Sequence, residues 1–194
     1  MRIVIASKNE HKIAEVRRIL GDVGLDVDIV SGLRWPDVEE TAKTLAGNAL
    51  LKARAVVVAT GLPAVADDTG LFVDALGGAP GVHSARYAGA DASDEDNVSK
   101  LLRELEGGGD RSARFVTAIA YVTPSGHELT VEGVLEGSIE THRRGTNGFG
   151  YDPVFVVEGR TLAERTAAEK SVMSHRARAF RAFADALAEA GSGI

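Results

Sequence analysis

The apolar positions of the first sixty residues predict a strand, a helix, a second strand and a second helix. Residues 2–6 form a short β-branched run, which is typical of a strand, and apolar side chains recur at helical spacing over residues 13–20. Apolar and Asp residues alternate over residues 25–29, which is the period of a half-buried strand. A second helical face runs over residues 45–57. This order of elements indicates an α/β fold.

The following pattern predicts that the sheet is mixed. Two short apolar runs, residues 64–66 and 71–73, are separated by the polar segment 67–70. Residues 115–122 give a strong strand pattern, and alternation returns over residues 129–133 after a Pro-Ser-Gly turn. These two segments therefore predict a β-hairpin, whose strands are antiparallel.

Further elements complete a single domain over residues 1–194. Ser93 and Asp96 have the spacing of a helix capping box. A strand is expected over residues 154–157, and the apolar side chains of residues 180–187 fall on one face of a last helix. The chain contains no internal repeat and no low-complexity linker.

Composition narrows the classes of function. The 22 Lys and Arg against 28 Asp and Glu give a net charge of −6, which argues against a broad nucleic-acid surface. The absence of Cys excludes disulfides and thiolate zinc sites. No apolar stretch reaches the ~18 residues of a membrane span, and Lys8 comes too early for the apolar region of a signal peptide. We therefore expect a cytoplasmic protein without a nucleic-acid polymer or a membrane as partner.

The first polar cluster is the turn from Ser7 to Lys12 before the first helix. A helix N-terminus offers unpaired N–H groups and a positive dipole end, which suit a phosphate group. Lys12 adds a full charge. The same residues also fit an ordinary helix cap with a solvated lysine.

A second cluster consists of Asp67 and Asp68, which follow an apolar run. Two adjacent carboxylates in such a place are unfavourable unless they bind a cation or hydrogen-bond donors. Glu39 or Glu40 could complete a hard-oxygen site for Mg²⁺. The alternative is an exposed acidic turn, because Asp and Gly are common turn residues.

Two more clusters lie in the second half of the chain. In residues 146–153 two glycines flank Phe149, so the ring could stack on a flat ligand, or it could pack in the core. Residues 170–181 hold four Lys and Arg and no acidic residue. This basic stretch could hold a polyphosphate or a keto oxygen, or could be a solvated helix face.

The four polar clusters together resemble the motifs of a known family, although no single cluster is specific to it. The motifs are, in order, Ser7-x-Asn9-x-x-Lys12, Asn48-Ala49-x-x-Lys52-Ala53, Ala66-Asp67-Asp68-Thr69-Gly70-Leu71, Gly77-Gly78-Ala79-Pro80-Gly81, Ser84-Ala85-Arg86-Tyr87, Gly148-Phe149-Gly150-Tyr151-Asp152-Pro153 and Ser174-His175-Arg176. In this order they resemble the inosine triphosphate pyrophosphatases, which remove deaminated purine nucleotides from the precursor pool. The resemblance runs from residue 2 to about residue 183.

This resemblance implies a fold and an activity. The expected fold is α/β, with an elongated mixed β-sheet flanked by helices and two lobes with a cleft between them, usually in a homodimer. The expected enzyme is an Mg²⁺-dependent nucleoside triphosphate pyrophosphatase. It would hydrolyse ITP, dITP and XTP to the monophosphate and pyrophosphate.

The resemblance also implies roles for individual residues. Asp68 would be the catalytic carboxylate and a metal ligand, with Glu40 as a second ligand. The residues expected to bind substrate are Ser7, Lys8, Asn9, Glu10, His11, Lys12, Lys52, Thr69, Phe149, Gly150, Tyr151, Asp152, Lys170, His175 and Arg176. The segment from Glu40 to Gly47 departs from the family pattern, which commonly has Glu-Thr-Gly followed by Thr-Phe. The metal-binding role of Glu40 therefore depends on a loop that differs.

Two other functions stay open at this point. One is a Maf-like pyrophosphatase that acts on dTTP and UTP, although its motifs differ from the Phe149 and His175 segments. The other is a sensor that binds a nucleotide without cleaving it. Asp67 and Asp68 argue against the sensor, because carboxylates repel a triphosphate unless a metal intervenes.

Overall fold

A computed structural model describes residues 1–191 of the chain, except for the side chains of His11 and Ala190. Within this range the protein has eight strands and five α-helices, in an α/β arrangement. The strands are β1 (Arg2–Ile5), β2 (Asp28–Val30), β3 (Ala64–Val73), β4 (Pro80–Gly81), β5 (Ser112–Val122), β6 (Glu128–Ile139), β7 (Phe155–Val157) and β8 (Arg160–Thr161). The helices are α1 (Glu10–Asp22), α2 (Leu45–Thr60), α3 (Asp94–Glu104), α4 (Ala167–Met173) and α5 (His175–Gly191).

The strands form a mixed sheet, as the hairpin pattern predicts. Their order is β2-β1-β3-β5-β6-β7-β8, and β4 pairs with β3. β1 is parallel to β2 and to β3, whereas β6, β7 and β8 pair antiparallel. The expected α/β fold with a mixed sheet and flanking helices is therefore confirmed.

The chain divides into two compact units. Unit 1 contains Met1–Asp68, Thr117–Gly133 and the segment that begins at His175, and unit 2 contains Thr69–Val116 and Val134–Ser174. Because the boundaries fall inside β3, β5 and β6, each of these strands contributes residues to both units.

Unit 1 has helices on both faces of its strands. Ile3, Ile5 and Val65 pack in a core with the apolar faces of α1 and α5. Val4 and Ala64 face the other way and pack against α2. This alternation follows from the strand period of two, and it also decides where polar side chains of β3 point.

Unit 2 has a core of its own. Buried side chains of β3, α3, β5, β6 and β7 form one cluster that includes Leu71, Leu101, Phe115 and Phe155. The predicted capping box of α3 is confirmed, because Ser93 and Asp96 bond reciprocally across its first turn.

Two sequence predictions are wrong in detail. The second strand spans Asp28–Val30 rather than residues 25–29, because its partner β1 begins at Arg2, opposite Asp28. Residues 67–70 do not form a turn between two strands but continue β3 without a break. No helix in the part of the chain that the structure describes is long and apolar enough to span a membrane.

Candidate active site

Asp68 lies in β3 and is held by two side chains of α2. Asn48 Nδ2 donates to its Oδ2 at 3.2 Å, and Lys52 Nζ donates to its Oδ1 at 3.0 Å. Residues four apart lie on the same face of a helix, so Asn48 and Lys52 approach the carboxylate together. The Asn48-x-x-x-Lys52 spacing of the sequence motif thereby gains a structural reason.

Lys52 also brings Glu40 to this carboxylate. Its Nζ donates to Glu40 Oε1 at 2.9 Å, so one ammonium group contacts both Glu40 and Asp68. Burial favours the neutral amine, but Asp68 and Glu40 outweigh this effect and raise the pKa of Lys52. For Asp68, burial raises the pKa and the Glu40 charge adds to it, with Lys52 acting in opposition.

The loop that carries Glu40 is tied to α2. Asn48 Oδ1 accepts a hydrogen bond from the backbone N–H of Ala42 at 2.9 Å. A Cβ at Gly47 would come within 2.7 Å of the Ala42 Cβ, so the loop and the helix are in close contact. The departures from the family pattern in this segment thus accompany a loop that still places Glu40 beside Lys52.

Asp67 and Asp68 are neighbours in sequence but have separate partners. Arg176 Nε and Nη2 both donate to Asp67 Oδ2 at 3.1 Å, and Lys12 Nζ lies 3.4 Å from the same oxygen. Because side chains of a strand alternate between its faces, Asp67 points toward α1 and α5 and Asp68 toward α2. The alternative of an exposed acidic turn is excluded, since both residues are buried in β3.

The charge of Asp67 is balanced inside unit 1. Burial would raise the pKa of Asp67, but the Lys12 and Arg176 charges outweigh it and hold the pKa well below its usual range. Arg176 is itself buried, and its Nη1 donates to Glu15 Oε2 at 2.7 Å. Sequence reasoning missed Glu15, although its position three residues after Lys12 on a helix marks a shared face.

At the start of α1, Asn9 is the N-cap of the helix and Ser7 bonds to it. Asn9 Oδ1 accepts from the Lys12 N–H at 3.2 Å, and Ser7 Oγ accepts from the Asn9 N–H at 3.2 Å. Lys8 pairs with Asp37 at 2.5 Å, and Glu10 begins the helix as an exposed side chain. The predicted contact from His11 falls on a side chain that the structure leaves undescribed.

His175 lies at the first position of α5, with its ring buried in unit 1. Its Nδ1 is 2.6 Å from Thr117 Oγ1 of β5. A bond at Nδ1 fixes the orientation of an imidazole ring. Thr117 carries no motif, so no sequence pattern identified it.

In unit 2 the predicted residues gather around a buried ion pair. Lys170 Nζ lies 2.5 Å from Asp152 Oδ2, and this oxygen also accepts the Phe149 N–H at 3.2 Å. The same Nζ lies 5.8 Å from the centre of the Phe149 ring, which is half-buried. These three residues therefore form one polar group with an aromatic side.

The remaining predicted residues of unit 2 are engaged in the fold. The Gly150 N–H donates to Asp94 Oδ2 at 2.6 Å, and the buried Tyr151 hydroxyl donates to the Ser84 carbonyl at 2.8 Å. Burial raises the pKa of Tyr151, with Tyr87 and Asp94 adding to the shift. Thr69 is half-buried in β3.

A methyl group added at Gly148 would meet the buried ion pair of unit 2. Its φ is +86°, and a Cβ would lie 1.9 Å from Asp152 Oδ2 and 2.8 Å from Lys170 Nζ. Gly150 has a similar φ of +62° but nothing within 4 Å of its Cβ position. We expect Gly148→Ala to reduce the free energy of unfolding by at least about 1 kcal/mol more than Gly150→Ala does, because only Gly148→Ala adds a clash to the backbone strain.

Urea denaturation of the two variants measures this difference. Equal losses would show that the space around Asp152 is not restricted.

The donor chemistry around Asp68 fits a magnesium ion. Carboxylates are hard ligands, and Mg²⁺ is usually bound by one or two of them together with substrate phosphates. Asp68 and Glu40 already share one cation, the Lys52 ammonium. No cage of three or more acidic or His side chains forms within the described residues, so an ion held by Asp68 and Glu40 would need further ligands from substrate or water.

Comparison with known proteins identifies the family of this chain. The model of the Ham1 family matches residues 3–186. The dITP/XTP pyrophosphatase of Streptomyces coelicolor is 49% identical over 97% of this chain and 98% of that protein. The dITP/XTP pyrophosphatase of Streptomyces avermitilis is 51% identical over 93% of this chain and 94% of that protein.

A solved structure agrees with these matches. The HAM1 protein from Coxiella burnetii superposes with a TM-score of 0.88 at 43% identity, covering 97% of this chain and 99% of that one. These matches confirm the family resemblance carried by the motifs. The chain belongs to the Ham1 family.

Proposed function

We propose that this protein hydrolyses the deaminated purine nucleoside triphosphates ITP, dITP and XTP to the monophosphate and pyrophosphate. The observation that carries the proposal is the group formed by Asp68, Lys52 and Glu40. It combines a candidate base with a cation that can hold phosphate oxygens. The names of the two Streptomyces relatives supply the substrate class.

Asp68 is the candidate general base. A carboxylate with an ordinary pKa near 4 is a weak base at neutral pH. The raised pKa of Asp68 brings it closer to the operating pH, where a general base is most effective. Its Oδ2 bonds to Asn48 and its Oδ1 to Lys52, which fixes the orientation of the carboxylate. We infer that Asp68 orients and deprotonates the water that attacks the α-phosphorus.

Magnesium is part of the proposal. Asp68 and Glu40 would hold the ion, and it would neutralise the charge that develops on the triphosphate as pyrophosphate leaves. Lys12 and Lys52 are the candidates for the phosphate oxygens, together with the turn from Ser7 to Lys12. Both lysines contact carboxylates, so each can exchange an anionic partner for a phosphate oxygen.

The base would be selected by stacking and by hydrogen bonds. Phe149 is the candidate stacking residue, supported by its half-buried ring beside Lys170. His175 and Arg176 are the candidate donors to the keto oxygen of hypoxanthine and xanthine. Adenine presents an amino donor at that position, and such a mismatch can discriminate by about 10⁴–10⁵.

The family resemblance adds an assembly and a location. We include in the proposal that the protein forms a homodimer and acts in the cytoplasm. Light scattering of the purified protein tests the dimer.

A panel of nucleoside triphosphates tests the substrate class. ITP, dITP, XTP, ATP, GTP, UTP and dTTP are each incubated with the protein and Mg²⁺, and pyrophosphate is quantified separately from orthophosphate. We expect rapid release of pyrophosphate from the three deaminated purines only. Preferred cleavage of UTP and dTTP would favour a Maf-like activity, and tight binding of ITP without turnover would favour a sensor.

Replacing Lys52 by Ala tests its assignment to the phosphates. We expect kcat/KM to fall by about 10²-fold for every triphosphate, since each substrate carries the same phosphates and a lost charge-stabilising donor has effects of this size. The ratio of the ITP rate to the ATP rate should stay constant. Lys52→Ala also removes the cation that pairs with Asp68 and Glu40, so part of the expected loss comes through the proposed base.

Lys43→Ala is the matched control, because Lys43 is an exposed lysine next to the same loop. It should retain the kcat/KM of the unsubstituted protein. A changed ITP to ATP ratio in Lys52→Ala would contradict a phosphate-binding role.

A further inference from the structure

A cavity of about 440 Å³ lies in unit 1 beside the turn between β1 and α1. Its walls come from the end of β1, the first turns of α1 and residues 29–35, which include the end of β2. Ligands of α/β sheets commonly bind outside the carboxyl ends of parallel strands, and β1 and β2 form such a pair. The volume is within the range of small-molecule sites, about 300–1,000 Å³.

One wall of the cavity is apolar and aromatic. Ile5, Ile13 and Ile29 contribute aliphatic surface, and Trp35 contributes its indole. Trp35 is half-buried and packs against the core cluster that contains Val4. A ring that is held in this way offers a stacking surface for a flat base.

The other wall is cationic. Lys8, Arg17 and Arg34 all line the cavity, in a chain whose net charge is −6. Among the residues that the structure describes, no carboxylate lines it. Lys8 pairs with Asp37, whose side chain is 93% exposed, and an exposed pair of this kind is weak. Lys8 can therefore contact a ligand anion together with the two arginines, whose planar guanidinium groups match phosphate geometry.

We propose that this cavity is a binding site for a nucleoside monophosphate, with the base on Trp35 and the phosphate among Lys8, Arg17 and Arg34. A single aromatic wall and a single cluster of cations match one nucleotide rather than a polymer. None of Asp68, Glu40 and Lys52 lines the cavity, so it lies outside the proposed catalytic group and shares only Ser7 and Lys8 with the proposed substrate site.

The cavity nevertheless adjoins the turn assigned to the substrate phosphates. Ser7 and Lys8 belong to this turn and also line the cavity. Occupancy of the cavity therefore changes the hydrogen bonds and charges available to a triphosphate, and it provides a route by which nucleotide concentration alters turnover. The ligand can come from the cellular pool, as AMP does, or from the proposed reaction, as IMP does.

Trp35 makes the site directly observable, because it is the single tryptophan of the chain. We expect AMP to change the fluorescence of Trp35 in a saturable manner, and IMP to do the same. Adenosine lacks the phosphate and should bind at least tenfold more weakly than AMP. The double variant Arg17→Gln/Arg34→Gln should raise the Kd for AMP at least tenfold.

Two controls separate this cavity from the substrate site. Arg18→Gln removes the neighbouring exposed arginine of α1, which does not line the cavity, and should leave the Kd for AMP unchanged. Lys52→Ala alters the proposed substrate site and should also leave it unchanged. The double variant should hydrolyse ITP normally when no AMP is present.

The proposal is overturned if AMP causes no saturable change in Trp35 fluorescence. It is also overturned if Lys52→Ala abolishes the change while Arg17→Gln/Arg34→Gln retains it, since the nucleotide would then occupy the substrate site. Failure of the proposed enzymatic function would appear separately, as absent ITP turnover in the unsubstituted protein.

Discussion

Replacing Asp68 by Asn is expected to reduce the turnover of ITP by about 10³-fold or more, because a positioned general base contributes about 10²–10⁴-fold. The amide has nearly the same volume but cannot accept a proton from water at neutral pH. The variant would also lose a hard, charged ligand for the proposed magnesium ion. The fold should survive, because Glu40 remains a charged partner of the Lys52 ammonium after the carboxylate of Asp68 is lost.

The measurement is steady-state kinetics with ITP and Mg²⁺, accompanied by circular dichroism to show that the variant is folded. Asp37→Asn serves as a control, because the Asp37 side chain is exposed and contacts Lys8 on the surface. It should retain nearly full activity. Near-normal turnover by Asp68→Asn would mean that Asp68 has no chemical role.

Replacing Asp67 by Asn is expected to destabilise the protein by about 3 kcal/mol. The change leaves the buried Arg176 guanidinium with a neutral partner in place of a carboxylate, and breaking one half of a buried ion pair costs about 3–5 kcal/mol. We place the loss at the lower end because Glu15 still contacts Arg176. Urea denaturation at neutral pH provides the free energy of unfolding.

Acid titration adds a second measurement on the same pair of proteins. Because the folded protein holds the pKa of Asp67 below its ordinary value, the resulting stability is present above pH ~4 and is lost as the pH falls further. Asp67→Asn should lack this component of the acid destabilisation. Asp28→Asn is the control, since Asp28 forms an exposed pair with Arg2 and should cost at most about 1 kcal/mol. An equally small loss of unfolding free energy for Asp67→Asn would contradict a stabilising ion pair between Asp67 and Arg176.

Much of the fold is predictable from local patterns. The first strand is marked by a run of β-branched residues. A periodic apolar face marks α1, α2, α5 and the hairpin of β5 and β6, and periodicity is the strongest signal in a single sequence. A Gly commonly closes a helix in the left-handed conformation, and Gly61 does so at the end of α2.

The continuity of β3 was not predictable from neighbouring residues. From the sequence, Asp67 and Asp68 fitted either a site for a cation or hydrogen-bond donors, or an exposed turn, because two adjacent carboxylates are unfavourable in a buried strand without such partners. Their neutralising partners include Arg176, which is more than a hundred residues away in sequence. Only the folded chain reveals that the two carboxylates point to opposite faces and meet different cations.

The candidate site was predicted in part. The motif residues Lys12, Lys52 and Asp68 do meet cationic or anionic partners in unit 1. The supporting residues Glu15 and Thr117 were missed, because a side chain that holds another one needs no motif. Tyr151 shows the reverse, since its motif position suggested a substrate contact while its hydroxyl bonds to Ser84.

Hydrolysis of ITP in ¹⁸O-labelled water tests the proposed reaction most directly. The protein is incubated with ITP and Mg²⁺, and the products are identified by ³¹P NMR, in which ¹⁸O shifts the resonance of the phosphorus that bears it. Attack of water at the α-phosphorus predicts IMP that contains ¹⁸O and pyrophosphate that does not. Formation of IDP and orthophosphate, or of pyrophosphate that carries the label, would contradict the proposed reaction.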